Sequence, residues 1–311
     1  MAGRNDGGRS TTSSYPAATK YKVDVNIVER VWDVQPSGST PKAGLVILHG
    51  GMWHSGWFGE LGDLLSSSEY SIRVSAPDLI AHGMSDDVLP GYRNYCPDFA
   101  EHALEARAAV ARARSALPEN TPVFLLGESM GGLIALQHLI IHETDVEGVI
   151  LCGAVLQIAP ALLPPSFVMP ILRGLSWLVP TMAVPGQDVG GETFDRAFGD
   201  PEVGPVARLD PLVVDKEPPR LGYMMSALGA MDLVKTNAAD MLKVKSVLML
   251  HYKGDERVIY EACKSLVDSM PSEDKVIVPL DGTNHQVFQD TKEKSRGYGE
   301  IVGRFIIERA T

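Results

Sequence analysis

The chain of 311 residues carries a net charge of −11, is 45% hydrophobic and contains three cysteines. That acidity argues against nucleic acid or an anionic membrane as the main partner, while the apolar content suits one large α/β domain with an insertion, or two domains. Cys96, Cys152 and Cys263 are scattered and odd in number, which excludes a disulfide framework or metal-spaced pair and points to a reducing, cytoplasmic setting.

Residues 1–20 are rich in Gly, Ser and Thr and lack the apolar stretch of a secretory signal, so a disordered tail is expected. No run of about 18 apolar residues occurs, so no transmembrane helix is expected. Val23 to Val34 alternates in polarity and reads as one or two antiparallel strands. The run Ala43-Gly44-Leu45-Val46-Ile47-Leu48 is continuous and apolar, the mark of a strand buried on both faces of a parallel sheet. It ends in His49-Gly50-Gly51-Met52. A helix is expected from Trp57 to Leu65, then a strand over Ser71 to Ala76, then the loop from Asp78 to Ser85. Pro97 to Leu117 is alanine-rich and helical. Val123 to Leu126 is a strand and Leu133 to Ile140 a helix. Val146 to Gly153, Lys245 to His251 and Lys275 to Leu280 are further strands, with helices over Ile259 to Ser269 and Ser295 to Arg309.

Strands alternating with helices imply an α/β fold with a mostly parallel central sheet and helices on both faces. The alternation breaks between Leu156 and Asp240, a segment rich in Pro and Met. We expect residues 21–155 and 241–311 to form the core and 156–240 an inserted helical cap, or lid. Within it, Phe167 to Val179 is nearly all apolar. It would pack on the core, line an acyl-chain tunnel or make peripheral contact with a lipid surface. Its one positive charge, Arg173, argues against a pure membrane anchor.

Gly127-Glu128-Ser129-Met130-Gly131 fits Gly-x-Ser-x-Gly between a strand and a helix, the nucleophile elbow of α/β-hydrolases. A serine nucleophile needs a base, and the base needs an acid to hold its tautomer. In this arrangement both follow the serine in chain order. Asp255, in the loop after the strand ending at His251, is the candidate acid, with Glu256 and Asp268 as rivals. His285, in the loop after the last strand, is the candidate base. Backbone N–H groups of Gly51 and Met130 are the candidate oxyanion donors. The chemistry calls for no metal and no cofactor.

With these residues in view, the chain resembles the α/β-hydrolase superfamily, and within it the monoacylglycerol lipase-like branch, which includes plant lysophospholipase and caffeoylshikimate esterase-like proteins. The resemblance rests on His49 to Gly56, Asp78 to Ser85, Gly127 to Gly132, Asp210-Pro211-Leu212 and Pro218 to Gly222. It implies a serine ester hydrolase acting on an apolar or lipid-like small-molecule ester, with Trp53, His54 and Trp57 against the substrate. The animal lipases of the branch carry a Glu and an Arg around the early loop that help hold glycerol; Trp53 and Trp57 at the matching places favour an apolar or aromatic ester. Glu128, where the animal enzymes have His, looks like the plant-type variant. An acyltransferase or thioesterase using the same triad, a hydrolase-fold ligand receptor and a cofactor-free haloperoxidase are the alternatives.

Overall fold

The computed structural model describes residues 8–16, 23–142, 146–184, 194–214, 218–241 and 244–310. Its strands are β1 (Arg9–Pro16), β2 (Asp24–Trp32), β3 (Ala43–Leu48), β4 (Ile72–Pro77), β5 (Val123–Glu128), β6 (Gly148–Cys152), β7 (Ser246–Tyr252) and β8 (Asp274–Leu280). They form a single sheet in the order β1-β2-β4-β3-β5-β6-β7-β8. Pairing is antiparallel from β1 to β4 and parallel from there to β8.

The apolar runs take the central places. Every residue of β3, β5, β6 and β7 is buried, as strands covered on both faces require. Successive side chains feed opposite layers. Leu125 and Val149 join one apolar cluster, whereas Phe124, Leu126, Ile150 and Leu248 join the other. Helices α2 (Ala100–Ser115) and α3 (Met130–Ile141) cover the first face. Helices α1 (Gly59–Ser66) and, at the end of the chain, Lys292–Arg309 cover the second.

The tail expectation needs a correction. Arg9–Pro16 is a strand in full antiparallel register with β2, while residues 1–7 and 17–20 lie outside the described residues. Composition hid a period of two. Tyr15 is buried, Thr11 and Ser13 are half-buried, and Thr12 and Ser14 face water. β-Branched and aromatic residues on one side of a pleat suffice for an edge strand.

Between β6 and β7 lie α4 (Met169–Leu178), α5 (Val203–Ala207) and α6 (Leu221–Thr236). Helix α6 roots itself in the main core through Tyr223, Ala230, Met231 and Val234. Helix α4 has only a small cluster of its own, formed by Leu172 with Val184 and Leu221. After β7 follow α7 (Tyr260–Ser269) and, after β8, α8 (Lys292–Arg309). Among the described residues no helix is long and apolar enough to cross a membrane.

Candidate active site

Strand β5 ends at Glu128 and α3 begins at Met130, so the chain turns on Ser129 alone. Ser129 has φ 54° and ψ −116°, a left-handed conformation that L-residues avoid and that a fixed surround must impose. The glycines allow the close passage. A Cβ on Gly131 would strike the Leu48 carbonyl, and one on Gly127 would strike the backbone of Gly131. Sequence and geometry agree here because the steric demand leaves almost no other residue type.

Loops after β7 and β8 bring Asp255 and His285 to this turn. His285 Nε2 lies 2.7 Å from Ser129 Oγ, and His285 Nδ1 lies 2.7 Å from Asp255 Oδ2. Asp255 is held by more than the imidazole. Its Oδ1 accepts the backbone N–H groups of Arg257 at 2.8 Å and Val258 at 3.0 Å, and Oδ2 lies 3.2 Å from His251 Nε2. Burial pushes the Asp255 carboxyl up, but His285, His251 and the backbone donors outweigh it and hold the group well below the usual carboxylate range. Ionised Asp255 accepts a hydrogen bond from His285 Nδ1–H, which leaves Nε2 free to accept from the serine hydroxyl. The rivals fall away. Glu256 is exposed and Asp268 pairs with Lys264.

The loop after β3 closes over the serine. A Cβ on Gly50 would lie 3.2 Å from Ser129 Cβ, and one on Gly51 would lie 3.5 Å from Met130 Sδ. Among the described residues neither the Gly51 nor the Met130 N–H has a protein acceptor. His49 is a strut in this loop. Its Nε2 accepts the Leu79 N–H at 2.9 Å, so Nδ1 carries the proton and donates to the Gly50 carbonyl at 2.7 Å. Burial pushes its pKa down to about 4, which keeps it neutral. The Asp78 motif works beside it. Asp78 accepts the Ser55 N–H and hydroxyl at 2.8 and 2.6 Å and the Met84 N–H at 2.8 Å.

The structure gives other partners to the residues expected at the substrate. His54 is corrected outright. Its Nδ1 accepts the Gly56 N–H at 3.1 Å and its Nε2 donates to Asp210 at 2.9 Å, so neither nitrogen is left for a substrate. This bond, with Val214 N–H on the Met52 carbonyl at 3.0 Å, ties the insertion's Asp210 segment to the loop after β3. Trp53 is 1% exposed and stacks among Trp57, Phe194 and Phe198, with ring centroids 4.6 to 6.2 Å apart. Trp57 lines a cleft of about 590 Å³ together with Leu61, Phe288 and Asp290, and none of Ser129, Asp255 or His285 borders it. A much smaller hollow of about 50 Å³ does touch His285, between Leu162, Arg196, Arg257 and Thr283.

The insertion also holds the loop of His285. The Ala197 carbonyl accepts both the His285 and Gln286 N–H groups at 2.9 Å, and Asn284 donates to the Phe198 carbonyl at 2.7 Å. Three residues around the site have partners that the sequence does not show. His251 was visible only as a strand end. Glu128 and Gln286 face each other across the elbow, and no spacing rule links residues so far apart in the chain.

The sheet order and the strand–turn–helix at Ser129 define an α/β-hydrolase. A family profile described as serine aminopeptidase, S33, matches residues 39–292, and the chain belongs to that family. The monoacylglycerol lipase of Mycolicibacterium smegmatis is 26% identical over 267 residues, covering 86% of this chain and 89% of that protein. The caffeoylshikimate esterase of Arabidopsis thaliana is 28% identical over 238 residues, covering 74% of this chain and 67% of that protein. The crystal structure of a soluble variant of Saccharomyces cerevisiae monoglyceride lipase aligns with a TM-score of 0.77 at 16% identity, covering 98% of this chain and 96% of that one; the likeness is one of fold.

Proposed function

We propose that this chain hydrolyses a carboxylic ester of an apolar, lipid-like substrate through an acyl-enzyme on Ser129. Ser129 Oγ attacks the ester carbonyl carbon while its proton passes to His285 Nε2. Asp255 stays ionised and stabilises the imidazolium. The Gly51 and Met130 N–H groups receive the oxyanion. The tetrahedral intermediate then breaks its bond to the alcohol, which leaves with the proton from His285. Water, deprotonated by the same nitrogen, attacks the acyl-enzyme, and Ser129 leaves with that proton.

The observation that carries this reading is the unbroken line from Asp255 through His285 to Ser129, with two unbonded N–H groups beside it. The named relatives support an ester as substrate and a lipid-like one above others. Turnover of p-nitrophenyl butyrate and decanoate, then of a panel of monoacylglycerol, lysophospholipid and phenolic esters, tests it. Sustained hydrolysis that falls by about 10³-fold or more in Ser129→Ala is expected. Tight ligand binding that survives Ser129→Ala, with negligible wild-type turnover, would make the chain a receptor instead.

Residues 156–240 act in this reading as a cap that contacts a lipid surface. Phe167, just before α4, and Ile171, Trp177 and Leu178 along it support the contact, at 80%, 60%, 85% and 79% exposure. A net charge of −11 favours a neutral bilayer over an anionic one. Co-sedimentation with phosphatidylcholine vesicles is the check, and recovery of all the protein in the supernatant would refute the contact.

A further inference from the structure

Glu128 precedes Ser129 at the end of β5, and the mechanism above leaves it unused. Its side chain is fully buried. The carboxylate points across to the loop that carries His285. Oε1 accepts the backbone N–H groups of Val287 at 2.9 Å and Phe288 at 3.4 Å. The Gln286 amide, turned with its nitrogen toward Glu128, donates to Oε2 at 2.8 Å and to Oε1 at 3.2 Å. Three consecutive residues after the base thus hang on one carboxylate. All of these partners are donors, and among the described residues no cationic side chain bonds Glu128.

A buried anion without a cation is costly to maintain. An apolar residue would avoid that cost but would leave the Val287 N–H without its acceptor. We propose that Glu128 is the positioning residue of His285, fixing the 286–288 backbone so that the imidazole stays in line with Ser129. This rests on the reading of Ser129 as nucleophile. Because Glu128 ends β5 and Ser129 follows it directly, one rigid strand end sets the nucleophile and, through the carboxylate, the loop of its base.

The ionised form does the positioning. A proton on Glu128 puts an O–H among donors, and only a half-turn of the Gln286 amide, which presents its carbonyl, relieves the conflict. Burial pushes the Glu128 pKa up to about 7, so that change falls in the working range of an esterase. The titratable neighbours do not intervene there. Cys152 faces Glu128 from β6, and its thiol is pushed well up by burial. Cys263 on α7 is pushed up to about 12, and His49, one residue beyond the Leu48–Gly127 pair, stays neutral. His285, hydrogen-bonded to ionised Asp255, is the remaining neighbour.

The test measures kcat and KM for p-nitrophenyl butyrate from about pH 5.5 to 8.5 in wild type, Glu128→Gln and Ser129→Ala, with circular dichroism to confirm folding. Wild type is expected to lose kcat toward acid more steeply than Glu128→Gln, by the one proton that Glu128 takes up. Folded Glu128→Gln is expected to keep KM within about twofold, lose kcat about tenfold at pH 8 and show an acidic slope lower than that of wild type by about one. A folded variant with wild-type kcat and slope would overturn the positioning role alone. Absence of Ser129-dependent turnover in wild type would overturn the function and this inference together. Should Glu128→Gln fail to fold, Gln286→Met decides. It removes the amide donors and is expected to move the acidic limb up by about half a pH unit or more; an unmoved limb overturns the proposal.

Discussion

Around the elbow, Ser129, His285, Asp255 and Glu128 bind one another or a neighbouring backbone group. In the insertion, Ile171, Trp177 and Leu178 of α4, and Phe167 just before it, face solvent. The first region uses burial to fix geometry, and the second withholds burial from side chains that would gain by it. Both belong to one continuous chain, but they are bound to different things. The elbow is anchored on strands covered by two apolar layers. Helix α4 rests on three buried residues and a rim of methionines. A rigidly held elbow and a sparsely packed apolar helix in one chain suit the proposed reading, in which an apolar ester must be placed to sub-ångström accuracy at Ser129.

The sharpest way to test the floor is to disturb its tautomer without disturbing its packing. Asp255→Asn keeps the volume but no longer fixes the proton on His285 Nδ1. We expect kcat to fall by roughly 10⁴-fold, about 5 kcal/mol of barrier, with the fold intact. A loss of less than about tenfold would move the acid to Glu256 and break the geometric reading.

The two regions should also differ in what a deletion costs. Leu248→Ala, in the fully buried strand β7, is expected to destabilise by about 2–5 kcal/mol in urea unfolding. Leu172→Ala, in the small α4 cluster, should cost about 2 kcal/mol or less. Equal costs would mean that α4 is part of the same cooperative core and that the contrast is false.

Glu128 links the floor to pH through stability as well as rate. Folding raises its pKa from 4.5 to about 7, so the folded protein binds more protons than the unfolded chain in that window. The contribution of Glu128 is therefore fully present below the lower value and is lost as pH rises through the upper one, by at most about 3 kcal/mol. Subtracting the Glu128→Gln stability curve from that of wild type should expose a decline between those limits. A flat difference would show that Glu128 is ionised at no cost, contrary to its burial.

How much of this was legible in the sequence follows from the length scale of each constraint. The elbow was legible because its sterics act within five residues, Gly127 to Gly131. Asp255 and His285 were legible because strand ends are local and their chain order is fixed by topology. β1 was missed because Ser and Thr look disordered by composition while their alternation suits an edge strand. His54 was misassigned because its partner, Asp210, lies in another part of the chain, and a histidine in a glycine-rich loop shows no sign of which group it will meet. Glu128 and Gln286 were missed as a pair for the same reason. Local patterns report backbone demands; long-range hydrogen bonds leave no period to read.

The smallest expected effect on stability bears on the cap. Trp177 and Leu178 are 85% and 79% exposed, so replacing both with Ser removes little packing. Stability should change by no more than about 0.5 kcal/mol, and p-nitrophenyl butyrate turnover should stay within about twofold, because a soluble ester needs no surface. Vesicle binding is another matter. Each large apolar side chain contributes about 1.5–3 kcal/mol on leaving water, so losing both should weaken binding to phosphatidylcholine vesicles by about tenfold or more, even if insertion is shallow. The three readouts separate the possibilities. Weakened vesicle binding with stability and soluble turnover intact keeps the contrast between floor and cap. A stability loss of several kcal/mol would mean that this face is covered within the protein. Unchanged vesicle binding would mean that the lipid surface is met elsewhere on the molecule.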